Sequence, residues 1–99
     1  MPAYLIANIV GNSDPAAIAR YRAEVAPLIE KAGGRYLVRG GAIENVEGEM
    51  GFDRLVIVEY PTMEALRAFY HGPEYAPLLA LRAGASLSHV VLVEGYTPG

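Results

Sequence analysis

The sequence predicts an α+β domain, a two-layer βαββαβ sandwich with an antiparallel sheet, and three observations lead there. Short apolar runs and helical stretches follow one another in the order strand, helix, strand, strand, helix, strand. Turn chemistry separates them: Gly11-Asn12-Ser13, Gly33-Gly34, Pro61-Thr62 and Gly72-Pro73 punctuate the chain. At 99 residues, 53% hydrophobic and 19% charged, the chain carries enough apolar mass for one core and too little length for two. A single domain over residues 1–99 is therefore expected.

The first strand is the apolar run Ala3 to Val10, closed by Gly11. Asp14-Pro15 then supplies an N-cap acceptor, followed by the helical position at which a missing N–H costs nothing. The helix that starts there repeats Ile18, Tyr21, Val25, Leu28, Ile29 and Ala32 at helical spacing. Pro27 interrupts this pattern and is expected to kink or divide the helix near Ala23 to Ala26. Arg35 to Val38 and Arg54 to Tyr60 read as strands two and three, a hairpin joined by a long segment. That segment, residues 40–53, holds four glycines and four acidic residues with no base before Arg54, and reads as a mobile arm or lid. Thr62 caps a second helix with Leu66, Phe69 and Tyr70 on its buried face. After Gly72-Pro73 a short helical segment places Tyr75, Leu78, Leu79 and Arg82 on one side and ends at Gly84. His89 to Glu94 is the last strand.

This order is that of a ferredoxin-like sandwich, whose crossovers put both helical regions on one side of the sheet. The third and fourth strands are nevertheless apolar on both faces: Leu55 and Ile57 alternate with Val56, Val58 and Tyr60, and Val90 and Leu92 with Val91 and Val93. The second face needs a cover, and another copy of the same sheet is the expected one, giving a homodimer.

Composition narrows the function. A net charge of −3 with no clustered bases argues against nucleic acid as a partner. The lack of cysteine removes disulfides, thiolate metal sites and a cysteine nucleophile. No apolar run approaches the ~20 residues that span a bilayer, and Met1-Pro2-Ala3-Tyr4 has no basic leader, so a cytoplasmic protein without membrane contact is expected.

Several segments together resemble one family: Met1-Pro2-Ala3-Tyr4, Tyr21-Arg22, Gly33 through Gly41, Glu47-Gly48, Arg54 through Pro61, Phe69-Tyr70, Pro73-Glu74-Tyr75, Arg82 and Val93-Glu94-Gly95. Spread over nearly the whole chain, they are similar to the DUF1330 family of unknown function, within the dimeric α/β-barrel superfamily. The resemblance implies a ferredoxin-like protomer whose sheet packs on its twin's. It also implies relatives that include cofactor-free monooxygenases, lactone isomerases and haem-dependent enzymes. The chain departs from the family at Asn8, where an acidic residue is frequent, and at Phe69, where tryptophan is frequent.

The candidate catalytic residues are Asn8, Arg39 and Glu59. Asn8 is an amide in an otherwise apolar strand, and buried it needs partners, either a neighbouring backbone group or a substrate carbonyl. Arg39 and Glu59 share a sheet face if residues pair with an even sum and are separated if the sum is odd. On a shared face they form either a partly buried ion pair or an anion-binding arginine beside a base. Tyr21, Tyr70 and Tyr75 fall on helix faces toward the sheet and, with Arg39, form the expected ligand-binding lining. His71 and His89 have no companions at metal-ligand spacing, so neither a metal nor a cofactor is expected. The glycine pairs lack the Lys-Ser/Thr of a phosphate loop. Pro2 would be a tautomerase base only with Met1 removed.

Two functions follow. One is a metal-free enzyme, using proton transfer or cofactor-independent oxygenation on a small hydrophobic or aromatic molecule. The other is a non-catalytic small-molecule-binding or dimerisation module. Convergence of Asn8, Arg39 and Glu59 in a cavity favours the first, and a core that holds them apart or satisfied favours the second.

Overall fold

The computed structural model describes residues 1–98. Its elements are β1 (Ala3–Val10), α1 (Pro15–Lys31), β2 (Arg35–Arg39), β3 (Arg54–Tyr60), α2 (Met63–Tyr70), α3 (Ala76–Ala85) and β4 (Leu87–Glu94). The four strands form one antiparallel sheet in the order β2-β3-β1-β4, with the helices packed on one side. The expected α+β ferredoxin-like sandwich is the observed fold.

Caps behave as their residue types dictate. The Asp14 carboxylate accepts from the Ala17 N–H at 3.2 Å and the Thr62 hydroxyl from the Ala65 N–H at 3.1 Å. α1 runs unbroken through Pro27, against the expected division. Ala23 and Pro27 are both exposed, so water can satisfy the carbonyl that proline leaves unbonded. At the end of α1, Gly33 adopts φ +84° and Gly34 sits where a Cβ would meet Ile29 Cγ2 at 2.6 Å and Tyr60 Cε1 at 2.9 Å. The turn into β2 thus depends on the missing side chain. Three other boundaries move: β2 ends at Arg39 rather than Val38, Gly84 is inside α3, which closes at Ala85, and β4 starts at Leu87 rather than His89.

Alternation divides the sheet cleanly. Ala3, Leu5, Ala7 and Ile9 of β1, Val56, Val58 and Tyr60 of β3, and Val90 and Leu92 of β4 join the core under the helices, together with Val25, Ile29, Leu66, Tyr75 and Leu78. The opposite face carries the complementary set. It stays open, with Leu87, Val91 and Val93 at 63%, 57% and 43% exposure. Among the described residues no helix is long and apolar enough to cross a membrane.

Candidate ligand-binding cleft

One irregularity decides the side-chain arrangement. β2 pairs with β3 as Arg35↔Glu59 and Tyr36↔Val58, then as Val38↔Ile57 and Arg39↔Val56, with a shift between Tyr36 and Val38 that leaves Leu37 as the extra residue of a bulge. A one-residue insertion turns every later side chain to the other face. Both sequence registers therefore occur in one strand. Glu59 shares the open face with Arg35, which donates to it from Nη2 at 2.7 Å, and with Tyr4, whose hydroxyl donates to it at 3.3 Å. Arg39 instead joins Val56 on the helix side, its guanidinium 4.5 Å above the Tyr36 ring. The pairing of Arg39 with Glu59 is corrected: the sheet lies between them.

Asn8 also faces away from the helices. Its Nδ2–H donates to the Gly51 carbonyl and its Oδ1 accepts from the Asp53 N–H, both at 3.0 Å, while the Asp53 carboxylate accepts from the Gly11 N–H at 3.1 Å. Asn8 is thus a clamp for the end of the 40–53 segment, with both amide functions used on backbone. It anchors that segment on the sheet face opposite the cleft, which removes the support for a lid over the helix side. Asn8, Arg39 and Glu59 do not converge.

What does converge is a cleft between α1 and the sheet, walled by Leu5, Ile9, Val25 and Val56. About 50 Å³ of it is open to water, within some 620 Å³ of unfilled space that runs out to solvent. Among the described residues four arginines line it, Arg22, Arg39, Arg54 and Arg82, and no Asp, Glu, His or Lys does. Arg54 heads the alternation that continues through Val56, Val58 and Tyr60, and its guanidinium lies across Gly40, in the space a side chain there would occupy. Burial lowers its pKa from the usual guanidinium value, and the neighbouring Arg22 and Arg39 cations lower it further. The outer part of the cleft is therefore a cluster of mutually repelling cations.

Arg82 lies deeper, 4% exposed, with its guanidinium 5.6 Å from the Tyr21 ring centroid. Its Nη1 donates to the Tyr75 hydroxyl at 2.8 Å and to the Tyr21 hydroxyl at 3.3 Å, and these two hydroxyls are 2.7 Å apart. Burial works against the Arg82 cation, but Tyr75 and Tyr21, followed by Tyr70, more than offset it and hold its pKa above the usual value. Burial raises the Tyr75 phenol well above the ordinary range, with Tyr21 adding to the shift, and burial raises the Tyr36 phenol in the same direction. At neutral pH the site is cationic arginine beside neutral phenol.

Of the expected lining residues, Tyr21, Arg39 and Tyr75 border the cleft. Tyr70 does not. Its ring packs 5.3 Å from Tyr75 and 5.4 Å from His71, behind the wall. Arg22, Arg54, Arg82 and Tyr36 were not among the sequence candidates, although Arg82 stands two turns after Tyr75 on the same helical face and Arg54 is in phase with the buried residues of β3. His71 and His89 are both exposed, and among the described residues no three potential metal ligands gather.

The comparisons with known proteins agree with this architecture. The family described as "Domain of unknown function (DUF1330)" matches residues 2–96. The chain belongs to the DUF1330 family. This DUF1330 chain is similar in structure to a protein of unknown function from Rhodopseudomonas palustris, at TM-score 0.74 and 21% identity over 98% of this chain and 84% of that one. It is also similar to a mutant form of SnoaB, a cofactor-independent oxygenase from Streptomyces nogalater, at TM-score 0.71 and 15% identity over 98% and 95%. A third neighbour is a dimeric ferredoxin-like protein of unknown function from Jannaschia sp., at TM-score 0.62 and 13% identity over 96% and 100%. At these identities the likeness is one of fold. No curated protein matches the sequence.

Proposed function

We propose that this DUF1330 chain binds a small hydrophobic or aromatic acid in the cleft between α1 and the sheet. One observation carries the reading: among the described residues an apolar cleft is lined by four arginines and by no carboxylate. Clustered cations in a partly desolvated site are costly unless an anion joins them, and a hydrophobic acid supplies the charge at one end and apolar area at the other. Among the described residues the lining contains no carboxylate or imidazole, and burial holds its Tyr36 and Tyr75 phenols neutral, so it offers no ready base for proton abstraction. Of the two expected functions, binding therefore has the better support. Because the water-accessible space is far smaller than the roughly 300 Å³ of an ordinary ligand pocket, entry requires lining side chains to move.

Titration calorimetry with naphthoate and with the uncharged naphthalene carboxamide tests this. The acid is expected to bind about tenfold tighter or better, with the advantage shrinking as salt is raised. Equal affinity for acid and amide, or binding of neither, would overturn the proposal.

The open face of the sheet supports a second element of the reading, a homodimer in which sheet covers sheet. Exposed Leu87, Val91 and Val93 form an apolar surface, and the Jannaschia protein is described as dimeric. Light scattering at micromolar concentration is expected to return twice the chain mass. The chain mass alone would refute it.

A further inference from the structure

The inner end of the cleft has hydrogen-bond donors left over, which follows from counting protons. Tyr21 and Tyr75 hydroxyls share one hydrogen bond, and each also accepts from Arg82 Nη1. If Tyr75 donates to Tyr21, the Tyr21 proton is left over; if Tyr21 donates to Tyr75, the Tyr75 proton is left over. In either arrangement the described bonds leave one hydroxyl proton uncommitted. Arg82 adds another donor, because its Nε–H is buried and has no partner among the described residues. A buried guanidinium N–H normally has an acceptor, and an unpaired one is costly. Among the described residues no acidic side chain lines the cleft to provide it.

The outer arginines form a separate group. Arg22 and Arg39 are exposed and both act electrostatically on Arg54, whereas the groups acting on Arg82 are tyrosines. The cationic lining thus has an exposed part, Arg22 and Arg39, and a buried part, Arg82, in a cleft otherwise lined by apolar side chains of β1, β3 and α1. We infer that its ligand is a hydrophobic acid with anionic oxygens at both ends, one carboxylate among Arg22, Arg39 and Arg54 and a second acceptor group, a carboxylate or equivalent oxyanion, on Arg82 Nε–H and the free tyrosine proton. This deepens the proposed function and rests on it. A single-headed acid would leave one of the two parts unpaired.

The test compares matched acids of two lengths, benzoate with terephthalate and naphthoate with naphthalene dicarboxylate, by calorimetry on the native protein. At one of the two lengths the diacid is expected to bind about tenfold tighter than its monoacid. In Arg82→Met that ratio falls to about twofold or less, since the buried part no longer offers a cation. NMR of the native protein provides a readout independent of any variant's folding: the Arg82 Nε–H resonance moves on addition of the tighter diacid, as a hydrogen bond to an anion forms. Diacids no tighter than monoacids at either length, a ratio unchanged by Arg82→Met, or an Nε–H signal indifferent to the diacid would each overturn the two-ended ligand while leaving a hydrophobic acid in place. If none of the acids binds, the cleft reading itself fails, and this inference with it.

Discussion

Removing the Tyr75 hydroxyl should destabilise the protein more than removing the Arg82 cation it serves. In Tyr75→Phe the ring keeps its packing 4.8 Å from Phe69 and 5.3 Å from Tyr70, but Arg82 Nη1 loses its 2.8 Å acceptor and retains only Tyr21 at 3.3 Å. Loss of a hydrogen bond to a buried charge costs roughly 1.5–3 kcal/mol, and loss of the neutral bond to Tyr21 about 0.5–1.5 kcal/mol more. Access of water to the cleft reduces the sum, so about 2–3 kcal/mol is expected. Arg82→Met removes the desolvated charge together with its hydrogen bonds and leaves Tyr21 and Tyr75 bonded to each other at 2.7 Å. Exchanging a buried ion for an apolar group of similar size is often neutral, so this change should fall within about 1 kcal/mol of wild type. On the Arg82→Met background, Tyr75→Phe then costs only the neutral bond, giving a coupling of roughly 1.5 kcal/mol in a double-mutant cycle. Urea unfolding at one fixed protein concentration measures all four corners. Additivity within about 0.5 kcal/mol, or an Arg82→Met cost exceeding that of Tyr75→Phe, would refute the reasoning.

Three other outcomes are expected. Arg39→Ala and Glu59→Ala should be additive in unfolding free energy, because the bulge at Leu37 puts them on opposite faces, while Arg35 and Glu59 couple by at most about 1 kcal/mol, less in high salt, with Arg35 71% exposed. A sizeable Arg39–Glu59 coupling would contradict the register. Burial raises the phenol pKa values of Tyr36, Tyr60 and Tyr75, so stability from these groups is fully present below the unfolded value of about 10 and is lost as pH rises beyond it, where only the unfolded chain readily ionises. The urea midpoint should stay level in this respect up to about pH 9.5 and fall above it, and a midpoint unchanged at pH 11 would contradict the assignment. Asn8→Ala frees the Asp53 N–H and the Gly51 carbonyl, so stability drops by about 1 kcal/mol and cleavage of the 40–53 segment by a nonspecific protease accelerates. Unchanged cleavage would show that Asn8 is not the clamp.

The fold was legible because its signals are local and agree with one another. Asp14-Pro15, Thr62 and the Gly33-Gly34 pair each act through their own backbone, and the alternation in β3 and β4 exposes a second apolar face before any packing is known. The site was only half legible. Tyr21, Arg39 and Tyr75 border the cleft where helical phase and the helix-side choice put them, but the bulge at Leu37 has no turn residue or glycine to announce it, and it alone decides the fate of Arg39 and Glu59. Pro27 misled for the opposite reason: its cost depends on whether the freed carbonyl reaches water, which is a tertiary fact. Asn8 carried two readings that only its contacts with Gly51 and Asp53 separate. Arg82 could have been found by taking its buried helical phase as seriously as its charge.

The central claim, that a hydrophobic acid occupies the helix-covered cleft, is tested most directly by locating one. Amide and side-chain NMR spectra are recorded as naphthoate is added to the assigned native protein. Shifts are expected to concentrate at Tyr21, Arg22, Tyr36, Arg39, Arg54 and Arg82, with the open-face residues Ile57, His89 and Val91 unmoved. Shifts confined to Ile57, His89 and Val91, with the cleft silent, would contradict it.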